Sequence, residues 1–151
     1  MENNTNNILK ASRFEIEQQL NPFIGNLKVE GISAEGKLSL VLLKLELSKV
    51  IKDIESFRKT TLESIEKPEN YEELEQAANK EDATEEDKEA FKKAQNEYNS
   101  KFVEVALPYF NEVVDIPFDF ISENDFKELV KHNDANVVFG YEYVYNKLVK
   151  Q

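Results

Sequence analysis

The chain has no cysteine and no tryptophan, and its 151 residues include one histidine, one methionine, four glycines and four prolines. Without Cys there is no disulfide scaffold, no thiolate-held zinc, no iron–sulfur cluster and no thiol nucleophile. A single imidazole, His132, excludes metal sites built from several histidines. The glycines Gly25, Gly31, Gly36 and Gly140 fit neither dinucleotide-binding nor phosphate-loop spacing. Long apolar runs are also missing. The richest stretch, Leu38 to Leu47, is interrupted by Ser39, Lys44 and Glu46, well short of the ~20 residues of a spanning helix. The first seven residues, Met1-Glu2-Asn3-Asn4-Thr5-Asn6-Asn7, have neither the basic start nor the apolar run of an export signal.

What is present is apolar material and acid. Hydrophobic residues make up 40% of the chain and aromatics 11%, enough for a folded core despite a net charge of −11. The charge is local. Glu69 to Ala90 holds ten acids against two lysines, or −8, leaving −3 for everything else. Lys and Arg are not clustered, so direct binding to a phosphate backbone is not expected.

From Lys37 to Lys67 there is no Gly or Pro, and Leu40, Leu43, Leu47, Val50, Ile54 and Phe57 recur at alternating spacings of three and four. That period predicts one long helix of roughly 45 Å. Leu38, Val41, Leu42 and Leu45 widen its stripe, so this end is expected to be buried on more than one side, and the half from Lys52 onward only half covered. Pro68 ends the helix, and an acidic connector over 68–84 follows, within which Tyr71, Leu74, Ala77 and Ala78 suit a short helix. Thr84 with Asp87 three residues on reads as a capped start to a third helix, striped by Phe91, Ala94, Tyr98, Phe102, Val105 and Tyr109. Two long apolar seams joined by a polar connector predict an antiparallel hairpin in which each seam buries the other, with Pro108 kinking or dividing the return helix.

The flanks are read as smaller pieces. Asn7–Leu20 reads as a short helix stopped by Asn21-Pro22, and Leu27–Val29 as a short strand. Ile116, Phe118 and Phe120 alternate like a strand over 115–121, and Ser122 with Asp125 caps a helix over 123–131. The alternation of Val137, Phe139, Tyr141, Tyr143 and Tyr145 suggests a strand before a short final helix, although Tyr141, Val144 and Leu148 also share a helical face. The expected fold is therefore α+β and mainly α: a single domain, 1–151, made of an N-terminal helix and extended segment (1–36), a helical hairpin (37–114) and a small β and aromatic end (115–151).

No set of residues completes a catalytic or metal centre. Glu85-Glu86-Asp87 and Asp115 with Asp119 read as a solvated helix start and a turn. His132 follows Lys131 at a helix end, where a cation suits the dipole. Neither a cofactor nor an enzymatic activity is expected. Ile116, Phe118, Phe120, Phe139, Tyr141, Tyr143 and Tyr145 form the candidate partner interface, because amphipathic aromatics are enriched where proteins meet and too few cations accompany these to hold single-stranded nucleic acid.

The order of these features resembles small helical-hairpin proteins of tailed bacteriophages. The resemblance runs from the leucine-rich helix (Leu38-Ser39-Leu40-Val41-Leu42-Leu43-Lys44 to Phe57-Arg58), through the acidic connector and a return helix ending at Phe102, to Asn111-Glu112-Val113-Val114-Asp115-Ile116-Pro117-Phe118 and the Ser122–Phe126 helix start. It covers roughly residues 38 to 131 and implies a virion structural or assembly subunit of the neck, tail or capsid. Such a subunit would be assembled in the host cytoplasm in several copies, contacting itself and other virion proteins. The competing reading is an acidic inhibitor that imitates nucleic acid in the basic cleft of a host enzyme.

Overall fold

The computed structural model describes residues 7–133 and 138–149. They are mostly helical, with one two-stranded antiparallel sheet. The chain divides at Ile54 and Phe110 into two compact units, the first from both flanks and the second from Glu55–Tyr109.

In the first unit the chain starts as a strand where a helix is expected. β1 (Ile8–Ser12) alternates exposed and buried residues, with Leu9 and Ala11 turned inward. It pairs with β2 (Val113–Pro117), setting Leu9 against Ile116 and Lys10 against Asp115. Ser12 then closes a capping box. Its hydroxyl accepts from the Glu15 N–H at 3.1 Å, and the Glu15 carboxylate accepts from the Ser12 N–H at 2.7 Å. Helical backbone follows without a break through α1 (Arg13–Glu15), a π turn (Ile16–Leu20) and α2 (Asn21–Gly25). The Asn21-Pro22 pair therefore does not stop the helix. The π turn carries the Asn21 N–H to the Ile16 carbonyl, and Pro22 falls in the first turn of α2, where its missing N–H leaves no bond unmade.

Leu27–Val29 is not a strand. Asn133, at the end of α6 (Glu123–His132), holds this stretch by accepting from the Lys28 N–H and donating to the Lys28 carbonyl, at 2.9 and 3.0 Å. Gly31 then turns the chain at φ +78°, a left-handed conformation that favours glycine.

α3 (Ala34–Ser64) is the expected long helix. Its inward residues Leu40, Leu43 and Leu47 join one core with Leu9, Ile16, Leu20, Ile116, Leu129 and Leu148. The first half of the heptad stripe is thus buried by the sheet and the short helices of its own unit. The residues that widen the stripe behave otherwise: Leu38, Val41, Leu42 and Leu45 are exposed. β2 runs over Val113–Pro117, earlier than the alternation of 115–121 suggests, because the pairing extends back to Ser12 and closes at Pro117.

Ser122 caps α6 as its sequence indicates, accepting from the Asp125 N–H at 3.1 Å. The expected strand over 137–145 is replaced by α7 (Val138–Leu148), while position 137 lies outside the described residues. On α7 Val144 and Leu148 are buried and Tyr141 half-buried, so the spacing of three and four prevails over the alternation of tyrosines. Val149 follows with a parallel bridge to Ile121.

In the second unit, α3 residues from Glu55 onward are joined by α4 (Tyr71–Ala78) and α5 (Glu85–Asn111). Phe57 stacks on Tyr109 with ring centroids 3.7 Å apart. The Tyr98 hydroxyl donates to the Leu62 carbonyl at 3.0 Å, and Tyr71 of α4 lies edge-on to Phe91. Thr84 and Asp87 form the expected reciprocal cap, with the Thr84 N–H donating at 2.9 Å and the Asp87 N–H at 3.2 Å. The α5 seam differs from its reading at one place, since Val105 is exposed and Ala106 is buried. Four residues beyond Phe102 is nearer a whole turn than three. α5 also continues undivided through Pro108 to Asn111, losing one ladder bond near its end.

Candidate functional site

α3 begins where Ser33 caps it. The Ser33 hydroxyl accepts from the Gly36 N–H at 3.1 Å and donates to Asp125 Oδ2 at 2.6 Å, while the Ser33 N–H donates to Asp125 Oδ1 at 2.9 Å. Asp125 is buried, and a Cβ on Gly36 would fall on its carboxylate. This clasp joins the first turn of α3 to that of α6, two helix ends that both favour a negative group. It leaves the carboxylate fully engaged, which accounts for Asp125 without any ligand.

One turn further, α3 presents its uncovered face. Leu38 is 60% exposed, Val41 56%, Leu42 47% and Leu45 56%. Neighbouring positions on the same helix are sealed: Leu40 is 4% exposed, and Leu43 and Leu47 are 0%. α3 is therefore apolar on two sides but buried on one. Beside Leu38 and Leu42 runs a groove of about 490 Å³ with Asp119, Phe120 and Ser122 on its far wall, and a second groove of about 280 Å³ follows the helix from Ser39 and Leu42 to Glu46, against Pro117 and Phe118. Scattered exposed aliphatic residues are ordinary, but four contiguous ones rimmed by charge mark a contact surface. Such a face does no chemistry; what it offers is apolar area to another surface.

The aromatic residues singled out in the sequence lie elsewhere or deeper. Ile116 and Phe118 are in the core, 2% and 4% exposed. Phe120 is half-buried, edge-on to Phe118 and lining the first groove, while Phe118 reaches the second, so both border the α3 face. Phe139 belongs to α7, but its side chain lies outside the described residues. Tyr141 packs edge-on against Phe23 and Phe126, and Tyr145 packs against Phe126 while donating to Glu123 at 2.8 Å. Tyr143 donates to Glu15 at 3.2 Å, and Lys147 lies 3.8 Å from that carboxylate and donates to the Lys10 carbonyl. These tyrosines attach α7 to the rest of the unit.

Burial, and then the adjoining Glu15 carboxylate, push the Tyr143 hydroxyl well above the ordinary tyrosine range. Burial alone would raise Glu15. The Ser12 N–H, Lys147 and the Tyr143 hydroxyl outweigh it and hold the carboxyl below its usual value.

The remaining candidates do not assemble. Asp115 and Asp119 are exposed, Asp115 facing Lys10 across the sheet. Asp87 is committed to Thr84, whose backbone N–H and then hydroxyl lower its pKa. His132 stands 3.3 Å from Glu128 in the last turn of α6. Among the described residues, no cluster of three His, Cys, Asp or Glu is arranged to hold a metal ion, and no helix is long and apolar enough to cross a membrane. The uncovered α3 face escaped the sequence reading because a widened stripe signals burial without saying what buries it. The chain matches no protein-family model, no curated protein and no solved structure.

Proposed function

We propose that the protein acts by protein–protein packing, as a structural or assembly subunit of a tailed-phage particle, in the neck, tail or capsid. The observation that carries the packing reading is the row Leu38, Val41, Leu42 and Leu45, apolar and uncovered on the first turns of α3. Burying such a side chain from full exposure is worth about 1.5–3 kcal/mol, and with about half of each still in water a partner would gain roughly half of that per residue. The phage assignment rests on the resemblance of the element order over residues 38 to 131. In this reading α5 and the end of α3 form a long antiparallel hairpin, supported by the Phe57–Tyr109 stack and the bond from Tyr98 to Leu62. Its acidic tip, between Glu69 and Glu89, keeps that end in solution.

Mass spectrometry of purified particles from the source phage tests the assignment. Peptides of this chain at a fixed ratio to the major virion proteins are expected. Their absence from mature particles and from assembly intermediates alike would overturn it.

A further inference from the structure

We infer that the occupant of the α3 face is a second copy of this chain, docked antiparallel across a two-fold axis that passes between Val41 and Leu42. This deepens the packing reading and rests on it. Three observations select a like partner.

The first is charge. The chain carries −11, yet from Ala34 to Lys49 there are three lysines (Lys37, Lys44, Lys49) and two glutamates (Glu35, Glu46). Bringing two copies together through the acidic 69–89 region would set like charges against each other, whereas the α3 face is nearly neutral and carries both signs.

The second is self-complementarity, which a two-fold contact demands because the same patch meets itself. Antiparallel pairing about the 41/42 midpoint sets Leu38 level with Leu45 of the second copy and Val41 with Leu42. The same operation sets Glu35 level with Ser48 and one residue from Lys49, a lysine that within its own chain pairs with Glu46 at 2.8 Å. On the other flank Lys37 and Lys44 have stems long enough to carry their charges out into water.

The third is area. Four large aliphatic residues about half exposed offer roughly 400 Å², within the ~300–600 Å² of a monomer's largest patch. A standard interface takes ~800 Å² per partner, a little over half of it apolar. The face thus supplies most of the apolar part, and the grooves beside it border the remainder.

The absence of cysteine gives a clean test. Full-length chain is examined by sedimentation and light scattering across a concentration series, alone and with Leu42→Glu or Leu45→Glu. In parallel, single-cysteine variants Val41→Cys, Leu42→Cys and Leu62→Cys are mildly oxidised. A concentration-dependent dimer is expected, weakened at least tenfold by either glutamate. Disulfide-linked dimer should form readily at 41 and 42 and poorly at 62, and mixing Leu38→Cys with Leu45→Cys should give more crosslink than either alone. Should a glutamate variant fail to fold, the cysteine pattern on the folded chain decides. A monomer throughout the series, a dimer indifferent to both glutamates, or crosslinking equal at all positions would overturn the inference. So would a heterologous virion protein found seated on this face in place of a second copy. A monomer that is nevertheless present in particles would sink the dimer and leave the packing role standing; a dimer absent from particles would do the reverse.

Discussion

Ser33 and Asp125, 92 residues apart in sequence, are joined twice, through the Ser33 N–H to Oδ1 at 2.9 Å and the Ser33 hydroxyl to Oδ2 at 2.6 Å. The pair ties the start of the longest helix to the start of α6 and so sets which residues of α3 face inward. Replacing Asp125 with Ala removes the carboxylate that accepts from both Ser33 donors, and exposed Ser33 must turn to water instead. Hydrogen bonds to a charged group are worth about 1.5–3 kcal/mol, and because water replaces the lost acceptor, a loss near the lower end of that range is expected in urea unfolding. Asp125→Asn should lose less, because one acceptor oxygen remains. Gly36→Ala should also destabilise, by about 1–3 kcal/mol, since its methyl needs the space the carboxylate holds. In the Asp125→Ala background the part of that penalty due to the carboxylate should vanish while the close approach to Ile32 remains, a non-additivity that a double-mutant cycle measures.

The Glu15–Tyr143 contact makes stability depend on pH at both extremes. Glu15 titrates below its ordinary value of 4.5 when folded, so its contribution is present above that pH and is lost as pH falls through the lower folded value. Tyr143 titrates above its ordinary value of 10.0, so its contribution is complete below pH 10.0 and is lost as pH rises through the higher folded value. Tyr143→Phe should therefore flatten the alkaline side of the stability profile. It should also move acid unfolding to higher pH, because Glu15 loses a donor. Urea unfolding across a pH series checks both shifts, and unchanged profiles would refute the coupling.

Thr84 and Asp87 cap α5 reciprocally. Thr84→Ala removes the side-chain acceptor for the Asp87 N–H, at a typical cost of about 0.5–2 kcal/mol. The effect should be confined to the second unit. Hydrogen exchange is expected to accelerate in the first turn of α5, with exchange in β1 and β2 unchanged. Acceleration spread over both units would contradict a local cap.

What was legible in the sequence was whatever three or four residues decide together. Thr84 with Asp87 and Ser122 with Asp125 marked helix starts because a cap acts within one turn. The α3 stripe announced its helix because a long period averages out single positions. Ser12 with Glu15 carries the same capping signal, and it marks where β1 gives way to helix, but the apolar residues of Asn7–Leu20 suit one helical face that runs across it. The tyrosines at 141, 143 and 145 alternate, yet the placement of α7 follows Val144 and Leu148, which reach the core. What was not legible is long-range. Nothing near Ser33 points to Asp125, and nothing within α3 says that one apolar side is sealed by its own unit while the other is left open.

Leu42 and Leu43 are adjacent residues of one type with opposite fates, the first 47% exposed and the second 0%. Leu43 lies in the core with Leu9, Leu20 and Leu129, so Leu43→Ala should cost about 2–5 kcal/mol through lost transfer energy and the cavity it leaves. Leu42→Ala removes a side chain about half of which is already in water, and in dilute monomer it should cost only about 1 kcal/mol. The order should shift with concentration. When association covers the face, the folded state is stabilised by mass action, so the wild-type unfolding midpoint should rise with protein concentration while that of Leu42→Ala rises less. Urea midpoints for the three proteins, measured at low and high protein concentration, separate the two roles. A cost at Leu42 that equals the cost at Leu43 in the dilute sample would mean that the face is part of the core after all.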